Sequence, residues 1–462
     1  MKKINIKILT GFIVIVAITS SCKKWIDDDY NVNQTKPQDV TLNLILPSAE
    51  ASLAYCVGGD LGYATNLWMQ QMSGSARQVL AYDRYVFTSS DDDNAWSFAM
   101  YGGAMENIYK IIEKGKAQNS PYYTGIGEVL MAYSLGSMTD LWGSIPYKQA
   151  FQGDKNLTPA FDSQQSIYVT IDSLLNDAIN VQFAASTSLY TPSTDDLIYS
   201  GSRPKWIKAA YAFRARYAIH LSKVPGSNAY ANALSYLSSA ISANSGDCEF
   251  TFGANQNEEN PLYQFFDQRG DFGMAKFMVD TLFHSNDPRG TVFIDTTYGT
   301  GALAPGVGGV SDAWIAYPFC SETSPVPFIS YVECLFIKAE AELQGSPSDP
   351  AAAAADYNAA IAASLSKYGV TDSAWLSTHA NATAADITLQ KIMTQKYIAL
   401  FLQLEVYNDW RRTGFPVLVP SINGAISSIP RRYPYPTSEK LYNSKNCPTS
   451  GVSLTDRVWW DQ

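Results

Sequence analysis

The chain has 462 residues, with 33 Lys and Arg against 43 Asp and Glu and only three histidines. Such a length is ample for a large core and by itself would suit two or three domains. The formal net charge of −10 disfavours nucleic acid and polyanionic substrates, because phosphate binding needs a basic surface and this one repels anions at range.

Residues 1–21 read as a signal peptide. Lys2, Lys3 and Lys7 make a basic start, and Ile8 to Ile18 an apolar run that fits the roughly 7 to 15 residues of a secretory segment and falls short of the ~20 that span a bilayer. Ser20-Ser21-Cys22 resembles the lipobox of bacterial lipoproteins, in which the Cys is diacylated and becomes the first mature residue; Thr19 stands where that motif usually has Leu. The mature chain then carries 30 basic against 43 acidic residues, a net charge of −13. Residues 22–40, with Asp27-Asp28-Asp29, read as an acidic tether, and residues 41–462 as one body. Asp27, Asp29, Asn31 and Asn33 imitate the alternating ligands of a calcium loop, but Val32 and Gln38 stand where that loop needs Gly and Glu. No metal is expected there. With Cys22 lipidated, five cysteines remain, at 56, 248, 320, 334 and 447; an odd number leaves at least one free thiol, and the spacing forces no disulfide.

Helical patterns then follow one another. Asp91 to about Leu141 holds two, broken at Asn119-Ser120-Pro121 and carrying small residues such as Gly102, Gly103, Gly127 and Gly136. Asp162 and Gln165 have the spacing of a capping box before Ile167, Ile171, Leu174, Leu175, Ala178 and Val181 at helical intervals. Pro204 opens a helix that runs to Leu221 and stops before Pro225-Gly226, with a second from about Asn228 to Ala243. The hairpin returns as Tyr331–Leu343, stopped by Gly345, and Pro350–Lys367, closed by Gly369. Its span is close to the tetratricopeptide period, although that repeat's signature is only partly met. A last long helix is predicted over about 386–412, with Leu389, Ile392, Met393, Tyr397, Leu400, Phe401, Leu404 and Tyr407 on one stripe. The fold class is therefore mainly α, a single body of stacked helix hairpins.

Between about 246 and 329 the helical period fades while Gly, Pro and aromatics rise together. Long ordered loops inside a compact body are usually functional, so this excursion is the first place to look for a ligand. Enzyme signatures are missing: no HExxH, no GxSxG, no GxxxxGK[ST]. His220, in an apolar helix, reads as a satisfied core histidine. Gly299-Thr300-Gly301 only imitates a dinucleotide fingerprint, since Pro305 forbids the helix that would hold the pyrophosphate. No cofactor and no catalysis are expected.

Several segments, in order, resemble the SusD/RagB family of Bacteroidetes surface lipoproteins and its SusD-like subgroup. They are the lipobox with its acidic follower, Asp140-Leu141-Trp142-Gly143-Ser144-Ile145-Pro146-Tyr147, Asn286-Asp287-Pro288-Arg289, the stretch from Tyr331 to Ala341, Asn408-Asp409-Trp410-Arg411-Arg412-Thr413-Gly414-Phe415-Pro416, Arg431-Arg432-Tyr433-Pro434-Tyr435-Pro436 and Trp459-Trp460-Asp461. The resemblance implies a helical body with tetratricopeptide-like pairs, an outer-membrane address at the cell surface through a lipid anchor, and a partner, the SusC-like TonB-dependent transporter, to which a bound glycan or peptide is delivered. Asp140, Arg411, Arg412, Arg431 and Arg432 read as scaffold that bonds across segments, a task suited to the planar fork of Arg.

A sugar offers an apolar C–H face rimmed by hydroxyls, so aromatic platforms beside Arg, Asp or Asn are the site candidates. Trp96, behind Asp91-Asp92-Asp93-Asn94, is one; Arg77 and Tyr82 precede it, and Trp314, Tyr317 and Phe319 stand in the excursion. Two other classes compete. A secreted helical hydrolase would need a carboxylate pair in a cleft, and a helical-repeat adaptor would bind protein on a concave face without aromatic platforms.

Overall fold

The structure is a computed structural model that describes residues 40–462. The signal peptide, Cys22 and nearly all of the acidic tether lie outside the described residues.

Helix follows helix through most of the chain: α1 (Leu42–Gly58), α2 (Asp60–Trp68), a π-helix (Ala95–Met105), α3 (Glu106–Ala117), α4 (Pro121–Trp142), α5 (Gln164–Asp177), α6 (Arg203–His220), α7 (Ala229–Leu237), α8 (Pro261–Arg269), α9 (Tyr331–Gln344), α10 (Pro350–Lys367), α11 (Leu389–Ala399) and α12 (Glu405–Thr413). Neighbours in sequence pack as hairpins, α3 on α4, α6 on α7 and α9 on α10, while α9 also packs on α7 and joins two hairpins side by side. Proline at the first turn, where its missing N–H costs nothing, opens α4, α6, α8 and α10. The mainly α reading of the sequence therefore holds.

Three boundaries differ from the sequence reading, each for a physical reason. The cap of α5 is Ser163, whose hydroxyl accepts from Ser166 N at 3.2 Å; Asp162 instead sits in a two-residue strand and accepts from Tyr147 N and Lys148 N. Helix α7 ends at Leu237, short of Ala243. The helix predicted over 386–412 is two helices, because Leu402 adopts φ 62° and its N–H donates to Gln71 Oε1 at 2.7 Å rather than to a carbonyl one turn back. Gln71 also donates to Tyr397 O at 3.0 Å. A side chain more than 300 positions away thus ends the helix.

The excursion is clamped at its base. β2 (Cys248–Phe250) pairs antiparallel with β4 (Val326–Ile329), so both ends of the span meet on the scaffold. Within it, β3 (Phe272–Met274) pairs with β1 (Met72–Gly74), the segment that follows α2. The span is less irregular than its composition suggests: α8 is capped by Asn260, whose Oδ1 accepts from Leu262 N and Tyr263 N, and stopped by Gly270 at φ 59°. A second nine-residue helix covers Lys276–His284. All five described cysteines are buried and free.

The hairpins are joined through a buried ionic chain. Arg216 on α6 grips Glu333 on α9 with two bonds, Nε to Oε1 at 2.6 Å and Nη2 to Oε2 at 2.5 Å. One turn on, His220 Nε2 bonds Glu405 Oε1 on α12 at 2.8 Å, and its Nδ1 faces the Tyr168 hydroxyl at 2.8 Å and Asp140 Oδ2 at 3.3 Å. Arg412 completes the row, bridging Glu340 and Asp409, and Lys396 meets Asp409 at 2.7 Å. Arg411 donates to Asp140 O, Arg432 to Trp142 O, and Arg431 pairs with Asp461. The family motifs are scaffold, as their residue types imply.

The chain predicts a pH dependence. Burial alone would lower the His220 pKa, but Glu405 and Asp140 outweigh it and raise it from 6.5 to about 9. A group with a raised folded-state pKa adds stability that is fully present below its unfolded value and lost as pH rises through its folded one. Glu405 is shifted the other way, since His220, Arg216 and Lys396 overcome its burial, so its contribution is lost only as pH falls below the usual carboxylate range. Denaturant midpoints should therefore fall between about pH 6.5 and 9, with about 3 kcal/mol attributable to His220. His220→Gln, with no such proton to lose, should show a visibly shallower decline over the same interval.

Candidate functional site

The largest opening among the described cavities, about 670 Å³, lies between α1, the π-helix and the loop after β2. Tyr55 and Phe98 stand open on its walls, 48% and 75% exposed, with Phe250 and Phe252 buried behind and Asn257, Glu258 and Glu259 on its rim. Few of the described aromatics are exposed, so two exposed rings facing one opening form the kind of platform on which a sugar C–H face stacks. The rim loop is braced: Gly253 N donates to Glu258 O at 3.0 Å, Asn255 to the Glu258 carboxylate at 2.9 Å, and Gln264 to Gln256 O at 2.8 Å. Tyr55 in turn donates to Gln264 Oε1 at 3.0 Å.

Ala95, Trp96, Met100, Ala104 and Met105 form the buried side of the π-helix, and Phe98, two residues on from Trp96, falls on the opposite face. Gly103 lines the opening without a side chain to fill it. Trp96 is 1% exposed and packs among Trp142, Tyr101, Phe161 and Tyr435, its Nε1 donating to Glu439. Its expected role as an open platform is thus corrected: it is core.

A second cavity, about 230 Å³, is walled by Asp60, Tyr63, Gln78, Tyr82, Asp91, Asn94 and Phe265. Tyr82 donates to Asp91 Oδ1 at 3.0 Å and receives Gln78 Nε2 at 2.5 Å; burial, then the charge of Asp91, holds its hydroxyl protonated far above the usual range. Arg77 flanks this cavity but is engaged, donating to Asp271 at 2.7 Å and to Arg269 O at 2.8 Å. A row of rings, Tyr63, Phe265, Phe272 and Phe266, runs outward from it to Trp314, each step 5.0 to 5.7 Å.

The sequence profile of the family SusD-like_2, described as "Starch-binding associating with outer membrane", matches residues 33–436. The chain belongs to this SusD-like family. A SusD/RagB family protein from Bacteroides thetaiotaomicron VPI-5482 has 25% identity and a TM-score of 0.76, over 92% of this chain and 99% of its own. A chitin-binding SusD homolog from Flavobacterium johnsoniae has 22% identity and a TM-score of 0.76, over 91% and 98%. A further solved structure, a chitin-binding protein, has 23% identity and a TM-score of 0.78, over 91% and 100%. The last two share the fold with this SusD-like chain. No curated protein matches the sequence.

On this SusD-like scaffold the sequence candidates separate. Tyr82 lines the smaller cavity and Arg77 flanks it; Trp314 ends the aromatic row. Tyr317 is 71% exposed and lines neither of the two cavities. Phe319 is half-buried against Phe293, Tyr368 and Phe401 and lines a third, small cavity of about 70 Å³. Tyr55, Phe98, Tyr63 and Gln78 were not singled out by sequence. Phe98 carried a usable signal, an aromatic lying off the stripe of Trp96, Met100 and Ala104.

Proposed function

We propose that this chain is a surface lipoprotein that binds an oligosaccharide on the face built by α1, the π-helix and the excursion, and delivers it to a SusC-like TonB-dependent transporter. One observation carries the reading: two exposed aromatics share the large cavity with amide and carboxylate groups, on a scaffold of the SusD-like family. Two solved proteins of this fold are chitin-binding, which supports a carbohydrate over a peptide. Binding proceeds without turnover, a reading supported by membership of the SusD-like family. Calorimetric titration against panels of neutral oligosaccharides and of peptides should give saturable binding only with the former, and the ligand should be recovered unchanged. Peptide binding with no oligosaccharide binding, or turnover of a bound glycan, would contradict the proposal.

Anchoring is assigned to acylated Cys22. None of the described helices is long and apolar enough to cross a membrane, and the two or three acyl chains of a lipoprotein hold firmly where one alone is marginal. Cys22→Ala should move the protein from the membrane to the wash fraction without detergent. Retention in the membrane would show that another element holds it.

A further inference from the structure

A buried pair of carboxyl groups lies in the wall of the larger opening. Glu50, on α1, is fully buried, and Asp196 is 1% exposed. Asp196 is the centre of the turn before α6 and accepts four N–H bonds, from Ile198, Tyr199, Gly201 and the Trp206 indole, at 2.7 to 3.1 Å. Glu50 accepts one, from Leu197 N to Oε2 at 2.8 Å. Its Oε1 receives no donor, yet Asp196 stands within hydrogen-bond reach of the side chain.

Two acceptors so placed need a proton between them, because both cannot ionise side by side where water is excluded. Asp196 is already supplied with donors, so the proton belongs to Glu50. Burial, then the charge of Asp196, raises the Glu50 pKa well above the usual carboxylate range, and Asp195 adds to the repulsion. Cys248 of β2 also faces the pair, with Tyr199 beside it and Lys205 over the Tyr199 ring at 5.5 Å. The largest charges acting on Glu50 are both negative.

The place of the pair matters to the site. Leu197, 48% exposed, lines the larger opening with Ala51 and Ser52, the two residues after Glu50 on α1. Asp195 lines a separate cavity of about 410 Å³ with Leu42 and Asn43, at the start of the same helix, and accepts from the Tyr123 hydroxyl at 2.7 Å. Residues 195–197 thus lie along α1 from one cavity to the other, and the bond from Leu197 to Glu50 fastens them to it.

We propose that Glu50 and Asp196 share one proton as a latch, which holds Leu197 on the wall of the larger opening and lets it go as pH rises. On release the proton passes to solvent, the two carboxylates repel, and residues 195–197 part from α1, so that the opening loses an apolar wall. The consequence for ligand, weaker binding at alkaline pH, rests on the carbohydrate-binding reading above; the latch itself is tested without ligand.

The test is hydrogen exchange of the Leu197 amide in ligand-free protein, corrected for the intrinsic rate at each pH. The closed state keeps a proton that the open state, with Glu50 in water, gives up at an ordinary carboxylate pKa. Each opening therefore releases one proton, and protection should fall about tenfold per pH unit between about pH 6 and 8. In Glu50→Gln the new side-chain N–H donates to Asp196 at every pH, so protection should stay flat. Wild-type protection that does not change with pH overturns the latch, whether or not the variant folds, and so does an equal decline in Glu50→Gln. Absence of carbohydrate binding would overturn the reading of the opening and leave this result untouched.

Discussion

Arg216→Met should destabilise the fold by about 3 to 5 kcal/mol, because it strands the Glu333 carboxylate in the core. Glu333 is fully buried, and the variant removes both of its bonds from Arg216 together with the bond from Arg216 to Phe328 O at 2.7 Å. Urea unfolding followed by circular dichroism reads the loss directly. Pairing the change with Glu333→Leu should recover much of it, since replacing both ions by apolar side chains avoids an uncompensated charge. A double variant no better than the single one would mean that the pair itself, rather than its breakage, carries the stability.

How much of this was legible in the sequence depends on how local each signal is. The hairpins of α6 with α7 and α9 with α10 could be read because Pro204, Pro350, Gly345 and Gly369 mark their ends within the segment itself. Helices α1 and α2 offered no such marks: Pro47 lies inside α1, and Gly58-Gly59 between them imitates an ordinary turn. The break after α11 was invisible, since Gln71 imposes it from a distant part of the chain. Likewise Arg289 looked like a motif residue and is one: it is wholly buried against Asp287, Ser364 and Gln395.

The candidate cavities fall partly in the region the sequence marked, while most of the exposed rings that line them were not singled out. The excursion and the segment from Tyr82 to Phe98 line the two cavities around Phe98 and Tyr82, through Phe250, Phe252, Glu258 and Phe265 on one side and Tyr82, Asn94 and Phe98 on the other. Trp96 was singled out for the polar company of Asp91-Asp92-Asp93-Asn94 before it. The spacing itself held the answer, since Trp96, Met100 and Ala104 share one stripe and Phe98 lies off it.

Phe98→Ala should weaken oligosaccharide binding by about thirtyfold, roughly 2 kcal/mol, the usual cost of removing a central aromatic anchor. Its ring is 75% exposed, so the change in folding stability should stay within about 0.5 kcal/mol. Trp96→Ala should do the reverse, costing about 3 to 5 kcal/mol of stability as a large buried ring is lost. Side-by-side titration and urea unfolding of the two variants separates platform from core.

A crystal structure of the complex with the tightest neutral oligosaccharide tests the central claim most directly. The account predicts sugar rings against Tyr55 and Phe98, which line the same opening. An oligosaccharide seated instead on Trp314 and Tyr317, with the opening beside Phe98 holding only solvent, would contradict it.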